Sequence, residues 1–376
     1  MKFIHLSDLH LGKRVNEFSM IEDQKYILTK IINIIDEEKP DGIIIAGDVY
    51  DRSVPTEEAM QLWDDFLNRL AKRNLQVFAI SGNHDSAVRF SDHNKLVETA
   101  GVHLSPVYDG EVLPFTLEDK NGKLNIYMLP FIKPVNVKQF FPEEEISDYT
   151  DAMRVAISHM NIDENERNIL IAHQFVTGAT RCESEEIIVG GLDNVDASVF
   201  DAFDYVALGH IHGKQKIGRD TVRYCGTPLK YSFSEKDHKK SVTVVEFGKK
   251  GEVEIREMPL IPMHDLREIR GTYDELVAKK NYEGTALDDY IHAVLLDEED
   301  VMDAMGKLRV IYPNLMKLSY DNKRTKENRV ISDARDVEKK SPIELFEEFY
   351  ELQNNQPMSE EQKAFTLDLI DSIWER

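Results

Sequence analysis

Five short motifs place residue types that bind metals at similar positions: Asp8-Leu-His10, Gly47-Asp48, Gly82-Asn83-His84-Asp85, Ala172-His173 and Gly209-His210-Ile-His212. Each follows an apolar run that stops at a small or polar residue. Taken singly, the motifs differ in weight. An Asp-x-His is usually a polar loop after a strand, and a Gly-Asp carries less still. Gly-His-x-His is of middling specificity, and Gly-Asn-His-Asp is the most specific. Five in one context point to a common rim, because function in open α/β sheets gathers beyond the carboxyl ends of the strands. The donors are Asp8, His10, Asp48, Asn83, His173, His210 and His212. Two carboxylates, one amide oxygen and four imidazoles exceed a single tetrahedral site. They suit two ions about 3.5–4 Å apart that share a carboxylate, the arrangement used in phosphoester hydrolysis. Asp48 is the natural bridge. Nitrogen and oxygen donors without thiolate fit Mn²⁺ or Fe²⁺. Zn²⁺ stays open, and Mg²⁺ prefers oxygen.

The elements that must position these residues alternate along the first half. Residues 42–46 and 77–80 are apolar runs without alternation, as in strands covered on both faces. Together with the run at 3–6 they enclose two helical patterns. One spans residues 21–35 and opens with a capping box at Ser19-Met-Ile-Glu22, and the other spans 55–70. A third helix is expected over residues 89–99. This βαβαβα order implies a layered α/β sheet. Further strands are expected at 124–129, 169–172 and 205–208, with a helix over 151–160. Residues 222–224, 242–247 and 253–256 read as a closing meander.

Character changes after Pro259 and Pro262. Residues 263–335 mix short helices and strands, and 321–335 is polar enough for a linker. Two helix starts follow, at Ser341-Pro-Ile-Glu344 and Ser359-Glu-Glu-Gln362.

The chain has 376 residues, a net charge of −23 and two cysteines, Cys182 and Cys225. That length suits two or three domains, and its core needs no disulfide. The cysteines read as reduced, buried thiols. No apolar run approaches the ~20 residues that span a bilayer. A reducing, cytoplasmic setting is expected. Acidity argues against nucleic acid, which rewards basic surfaces. The charge is uneven, however. Residues 205–240 hold eight basic and three acidic side chains, whereas 341–376 hold nine acidic and two basic ones. The basic stretch begins at the ligand motif, so it is a candidate for tracking a phosphate backbone. The other histidines (His5, His93, His103, His159, His238, His264, His292) lie outside the strand-end pattern and read as solvated or core residues.

His5-Leu-Ser-Asp-Leu-His-Leu-Gly12, Ala46-Gly-Asp-Val-Tyr-Asp-Arg-Ser53, Ser81-Gly-Asn-His-Asp-Ser86 and Ala207-Leu-Gly-His-Ile-His212 occur in this order. They resemble the calcineurin-like metallophosphoesterase superfamily and, more narrowly, its SbcD family of nucleases. The likeness continues through Gly226-Thr-Pro228, Ser232 and Ser341-Pro-Ile-Glu-Leu-Phe346. The length, second domain and tail favour that family over a simple phosphatase. The resemblance implies a layered α/β metallophosphoesterase sheet core flanked by helices over residues 1–260. It implies a smaller α+β capping domain over 261–335, which restrains DNA, and a C-terminal helical hairpin over 336–376 that binds an SbcC-type ATPase. It implies one ion on Asp8, His10, Asp48 and His212, and another on Asp48, Asn83, His173 and His210. Manganese is the usual metal. The implied activities are a 3′→5′ exonuclease on duplex ends and an endonuclease on single strands and hairpins, serving DNA repair and recombination. Helices near residues 55–73 and 89–100 would form a homodimer contact. Archaeal relatives carry histidine at the place of Asp51, whereas related protein phosphatases carry aspartate there and use it to orient the motif histidine. An Asp51–His84 pair is therefore expected. His84, not counted as a ligand, would then bond the phosphate or protonate the leaving oxygen. Arg52 is either a phosphate contact or a solvated surface residue. A small-substrate phosphatase or phosphodiesterase on the same fold and a metal-bearing DNA-end scaffold stay open as alternatives.

Overall fold

The computed structural model describes residues 1–91, 100–185, 193–323, 325, 343–344, 346–347, 349–350 and 358–374. The chain forms two compact units, Met1–Arg267 and Glu268–Arg376.

Two six-stranded sheets build the first unit. One runs in the order Val253–Pro259, Ser241–Phe247, Lys2–Leu6, Gly42–Ala46, Gln76–Ile80, Val102–Leu104. The other runs Gln215–Ile217, Arg219–Tyr224, Tyr205–Gly209, Arg167–His173, Gly122–Met128, Phe115–Asp119. Lys2–Leu6, Gly42–Ala46 and Gln76–Ile80 pair in parallel. So do Tyr205–Gly209, Arg167–His173 and Gly122–Met128. Every residue of Gly42–Ala46 is buried, which is why its sequence does not alternate. Phe3, Ile44 and Phe78 of the first sheet meet Ile126, Ile169, Ile171 and Ala207 of the second in one apolar layer. The helix Tyr149–Ser158 places Ala152 and Met153 in a second cluster with Leu170, Val206 and Leu208, which lie on the other face of that sheet. Helices Ile21–Glu38 and Glu57–Ala71 contact each other, and each buries one apolar face.

In the second unit, Leu276, Ile291, Leu295, Leu308 and Leu315 form a separate core. They come from short helices and from the sheet Leu266–Gly271, Tyr290–Leu295, Leu315–Tyr320, whose first strand starts just before the unit boundary. A capping box holds the start of helix Glu360–Trp374: the Ser359 amide donates to Gln362 Oε1 at 2.9 Å, and the Gln362 amide to Ser359 Oγ at 3.2 Å. Among the described residues no helix is long and apolar enough to cross a membrane.

The expected capping box at Ser19 is not formed. Ser19 belongs to a two-residue strand paired with Arg14–Val15, and Met20 takes the cap position without a side-chain bond. Register in that small hairpin overrides the local cap signal. The expected helix over 89–99 is described only as Ala87–Ser91. Residues 92–99, most of the 321–335 linker and the start at Ser341 lie outside the described residues.

Candidate metal centre

All seven donor side chains meet where the two sheets present their parallel carboxyl ends. Asp8, His10, Asp48, Asn83 and His84 follow strands of one sheet. His173 ends a strand of the other, and His210 and His212 follow its neighbour. The turns are held in costly conformations. Among the described residues, four of the ten non-glycine residues with positive φ are donors: Asp8 at 53°, His10 at 45°, Asp48 at 50° and His210 at 101°. Such backbones cost on the order of 1–3 kcal/mol each and persist where the surroundings dictate them, commonly at functional sites. Gly82 is required for a different reason. A Cβ there would overlap the Asp48 carboxylate.

Asp48 sits between two donor groups. Its Oδ2 lies 3.3 Å from His173 Nε2 and 3.7 Å from His10 Nε2. On one side, the Nε2 atoms of His10 and His212 are 3.1 Å apart. On the other, Asn83 Oδ1 lies 2.9 Å from His173 Nε2 and 3.0 Å from His210 Nδ1. Ligand atoms of Asp8, His10 and His212 fall within 4.8 Å of one another, as do those of Asp8, Asp48 and His173. His173 Nδ1 is 2.8 Å from the Ala46 carbonyl, to which it donates, so Nε2 turns its lone pair to the cluster. Buried nitrogen and oxygen atoms thus converge in two groups with a shared carboxylate. This donor set fits a pair of divalent cations.

Burial pushes the Asp8 carboxyl up to about 6. Burial acts on Asp48 in the same direction, but His173 and His10 hold it below the ordinary carboxylate range. Burial opposes charge on His173, yet Asp48 outweighs it and raises the ring to about 9. Burial, with the charge on His173, lowers His210 to about 3, and burial also lowers His10. Neutral rings are the form in which imidazole binds metal.

His84 reaches the same cluster, with Nε2 4.0 Å from Asp48 Oδ2. Its Nδ1 lies 2.9 Å from the backbone oxygen of Asp51. The expected Asp51–His84 pair therefore runs through the main chain, not through the carboxylate. That carboxylate is turned to Lys13 Nζ at 2.7 Å and faces His10 Nδ1 at 3.8 Å. Among the described residues, His10 Nδ1 is buried without a hydrogen bond. Arg52 is 78% exposed, with Nε 3.8 Å from Asp51 Oδ2.

Sequence reasoning missed the groups that hold these ligands. Asp85 accepts the amides of Val49, Tyr50 and Gly82, tying two ligand loops together. It had a signal, since it closes the Gly-Asn-His-Asp motif. Ser184 Oγ lies 2.8 Å from His212 Nδ1 and donates to Glu235 Oε1 at 2.6 Å. Glu235 is fully buried and paired with Lys240 at 2.6 Å. Burial works against its charge, but His212 and Lys240 hold it below the usual range. No local pattern announced this relay. The basic stretch is also less free than expected. Lys214, Lys216, Arg223, Lys230 and Lys240 are in ion pairs, and Arg219 donates to the carbonyls of Phe200 and Phe203. Cys182 and Cys225 are free thiols. Cys225 is buried, whereas Cys182 is only half-buried.

Comparison with known proteins agrees with this geometry. Residues 1–214 match the family model of the calcineurin-like phosphoesterases. Residues 262–354 match a model described as the type 5 capsule protein repressor C-terminal domain. The chain is 31% identical to the SbcD component of the nuclease SbcCD of Staphylococcus epidermidis, over 100% of both chains. It is 35% identical to the protein of the same name from Staphylococcus saprophyticus, over 85% of this chain and 84% of that one.

Proposed function

Since this chain belongs to the calcineurin-like phosphoesterases and, within them, to the SbcD nucleases, we propose that it cleaves phosphodiester bonds of DNA at the cluster around Asp48. One ion would be held by Asp8, His10, Asp48 and His212, and the other by Asp48, Asn83, His173 and His210. The carrying observation is the shared carboxylate: Asp48 Oδ2 faces His173 Nε2 at 3.3 Å and His10 Nε2 at 3.7 Å. When bound, divalent cations stabilise charge on the phosphate and make water more acidic. Manganese is the metal proposed, consistent with mixed nitrogen and oxygen donors.

The protein's own groups perform the rest. His84 is anchored through Nδ1 by the Asp51 carbonyl. Its Nε2 is therefore the atom available to bond a phosphate oxygen or to pass a proton to the leaving oxygen. Asp51 holds the turn that carries this carbonyl, and its carboxylate steadies His10 and Lys13. Arg52, exposed at the rim, is proposed as a phosphate contact. The names of the relatives support an SbcC-type ATPase as partner and DNA as substrate. We assign residues 261–335 to a cap that restrains DNA, 336–376 to the ATPase contact and 55–73 with 89–100 to a homodimer contact. The proposed reactions are 3′→5′ exonuclease action on duplex ends and endonuclease action on hairpins and single strands, in DNA repair and recombination.

Cleavage of end-labelled hairpin and duplex DNA, with Mn²⁺, Mg²⁺ or Zn²⁺ and with or without an SbcC-type protein, tests this reading. Mn²⁺-dependent cleavage of both substrates is expected. Hydrolysis of small phosphoesters alone would favour a small-substrate enzyme, and DNA binding without cleavage would favour a scaffold.

A further inference from the structure

Beside the metal-ligand cluster lies a cleft that none of these roles uses. Asn83 and His210 form its inner edge, and Phe131, Phe175 and Asp193 line it. The rings of Phe131 and Phe175 are partly exposed. Phe131 stands edge-on to the ligand His173, with ring centroids 6.2 Å apart. The Arg181 guanidinium lies 3.5 Å above the Phe175 ring and pairs with Asp193. Asp193 is only 4% exposed, yet its Oδ1 has no hydrogen-bond partner among the described residues.

Each feature is costly or idle without a ligand. A buried carboxylate oxygen left unpaired forfeits the bond that would offset its dehydration. Aromatic rings open to water lose apolar burial. A flat heterocycle carrying N–H groups answers both. Its π-face stacks on an aromatic ring, and an edge N–H satisfies a carboxylate oxygen. The cleft adjoins the donors Asn83 and His210, which places such a heterocycle next to the phosphate undergoing cleavage. We propose that this cleft, formed by Phe131, Phe175 and Asp193, receives the nucleobase of the nucleotide adjoining the scissile phosphate. The inference rests on the phosphodiesterase reading of the Asp48 cluster and deepens it. Stacking tolerates every base, so the site demands a base without strongly selecting among the four. An edge bond to one carboxylate oxygen adds a preference for bases that present an N–H there.

The test compares duplex DNA bearing either a normal nucleotide or a stable abasic residue at the cleaved end, using the full chain with Mn²⁺. The wild-type protein is expected to prefer the base-bearing end by about tenfold in kcat/KM, within the range that single stacking contacts give. In Phe131→Ala/Phe175→Ala the ratio between the two substrates should collapse towards one. Phe131→Leu/Phe175→Leu keeps much of the apolar volume but removes the flat rings, and it should collapse the ratio too if folding of the alanine variant fails. Equal wild-type cleavage of both ends would overturn the inference while leaving the phosphodiesterase reading intact. Cleavage of neither end would remove that reading instead. Calorimetric titration then decides the cleft on its own. Tighter binding of deoxyadenosine monophosphate than of deoxyribose 5-phosphate supports it, and equal binding overturns it.

Discussion

The backbone oxygen of Asp51 lies 2.9 Å from His84 Nδ1, while the carboxylate of the same residue faces His10 and Lys13. One residue thus serves two histidines by two different groups. The consequences for substitution are separable.

His84→Ala removes the ring whose Nε2 faces the cluster but none of the seven proposed ligands. Cleavage should fall by about 10²–10⁴-fold, the usual contribution of a positioned acid or base. Mn²⁺ affinity measured by calorimetry should stay within a few-fold of wild type. A loss of bound metal would make His84 a ligand.

Asp51→Ala keeps the main-chain bond to His84 and removes the carboxylate beside His10. The expected effect is about tenfold weaker Mn²⁺ binding, as for other groups that orient a metal-bound histidine. Lost turnover at unchanged affinity would show that the carboxylate acts on His84 after all.

Ser184 links the fully buried Glu235 to His212 Nδ1. Ser184→Ala should weaken Mn²⁺ binding about 10–100-fold with little change in melting temperature. Glu235→Gln should also destabilise the fold, by about 3 kcal/mol, because Lys240 loses its buried counter-charge. Equal effects on stability from both variants would argue that the relay is purely structural.

Far from the site, Arg167 is 2% exposed and bonds Asp119 at 2.6 Å, together with the carbonyls of Gly122, Lys123 and Gly248. This bond holds the Asp119 carboxyl down at about 2. A depressed carboxylate stabilises the fold above its unfolded pKa of about 4, and that contribution fades as pH falls towards 2. It amounts to about 1–2 kcal/mol after allowance for partial exposure. Asp119→Asn should lower stability at pH 7 and flatten the loss of melting temperature between pH 4 and 2. An unchanged acid limb in the variant would refute this assignment.

Much of the site was legible because each donor directly follows or ends a buried parallel strand, and strand ends announce themselves by an apolar run that stops. Gly42-Ile-Ile-Ile-Ala46 leading into Gly47-Asp48 is the plainest case. The fold read less completely. The apolar pattern pointed to one layered sheet, and the core residues alone could not say that Phe3 and Ile44 would face Ile126 and Ile169 across two sheets. The supports were hidden for a related reason. Ser184 and Glu235 approach His212 through tertiary contact, without sequence spacing to mark them. The Asp51–His84 contact was correctly located but given to the wrong atoms, because a backbone oxygen leaves no trace in residue identity.

The central claim is that Asp48 bridges two cations. An anomalous-difference map from crystals soaked in Mn²⁺ tests it most directly. Two peaks about 3.5–4 Å apart on either side of the Asp48 carboxylate are expected, with both lost in Asp48→Ala. A single peak, or peaks away from His173 and His10, would contradict the account.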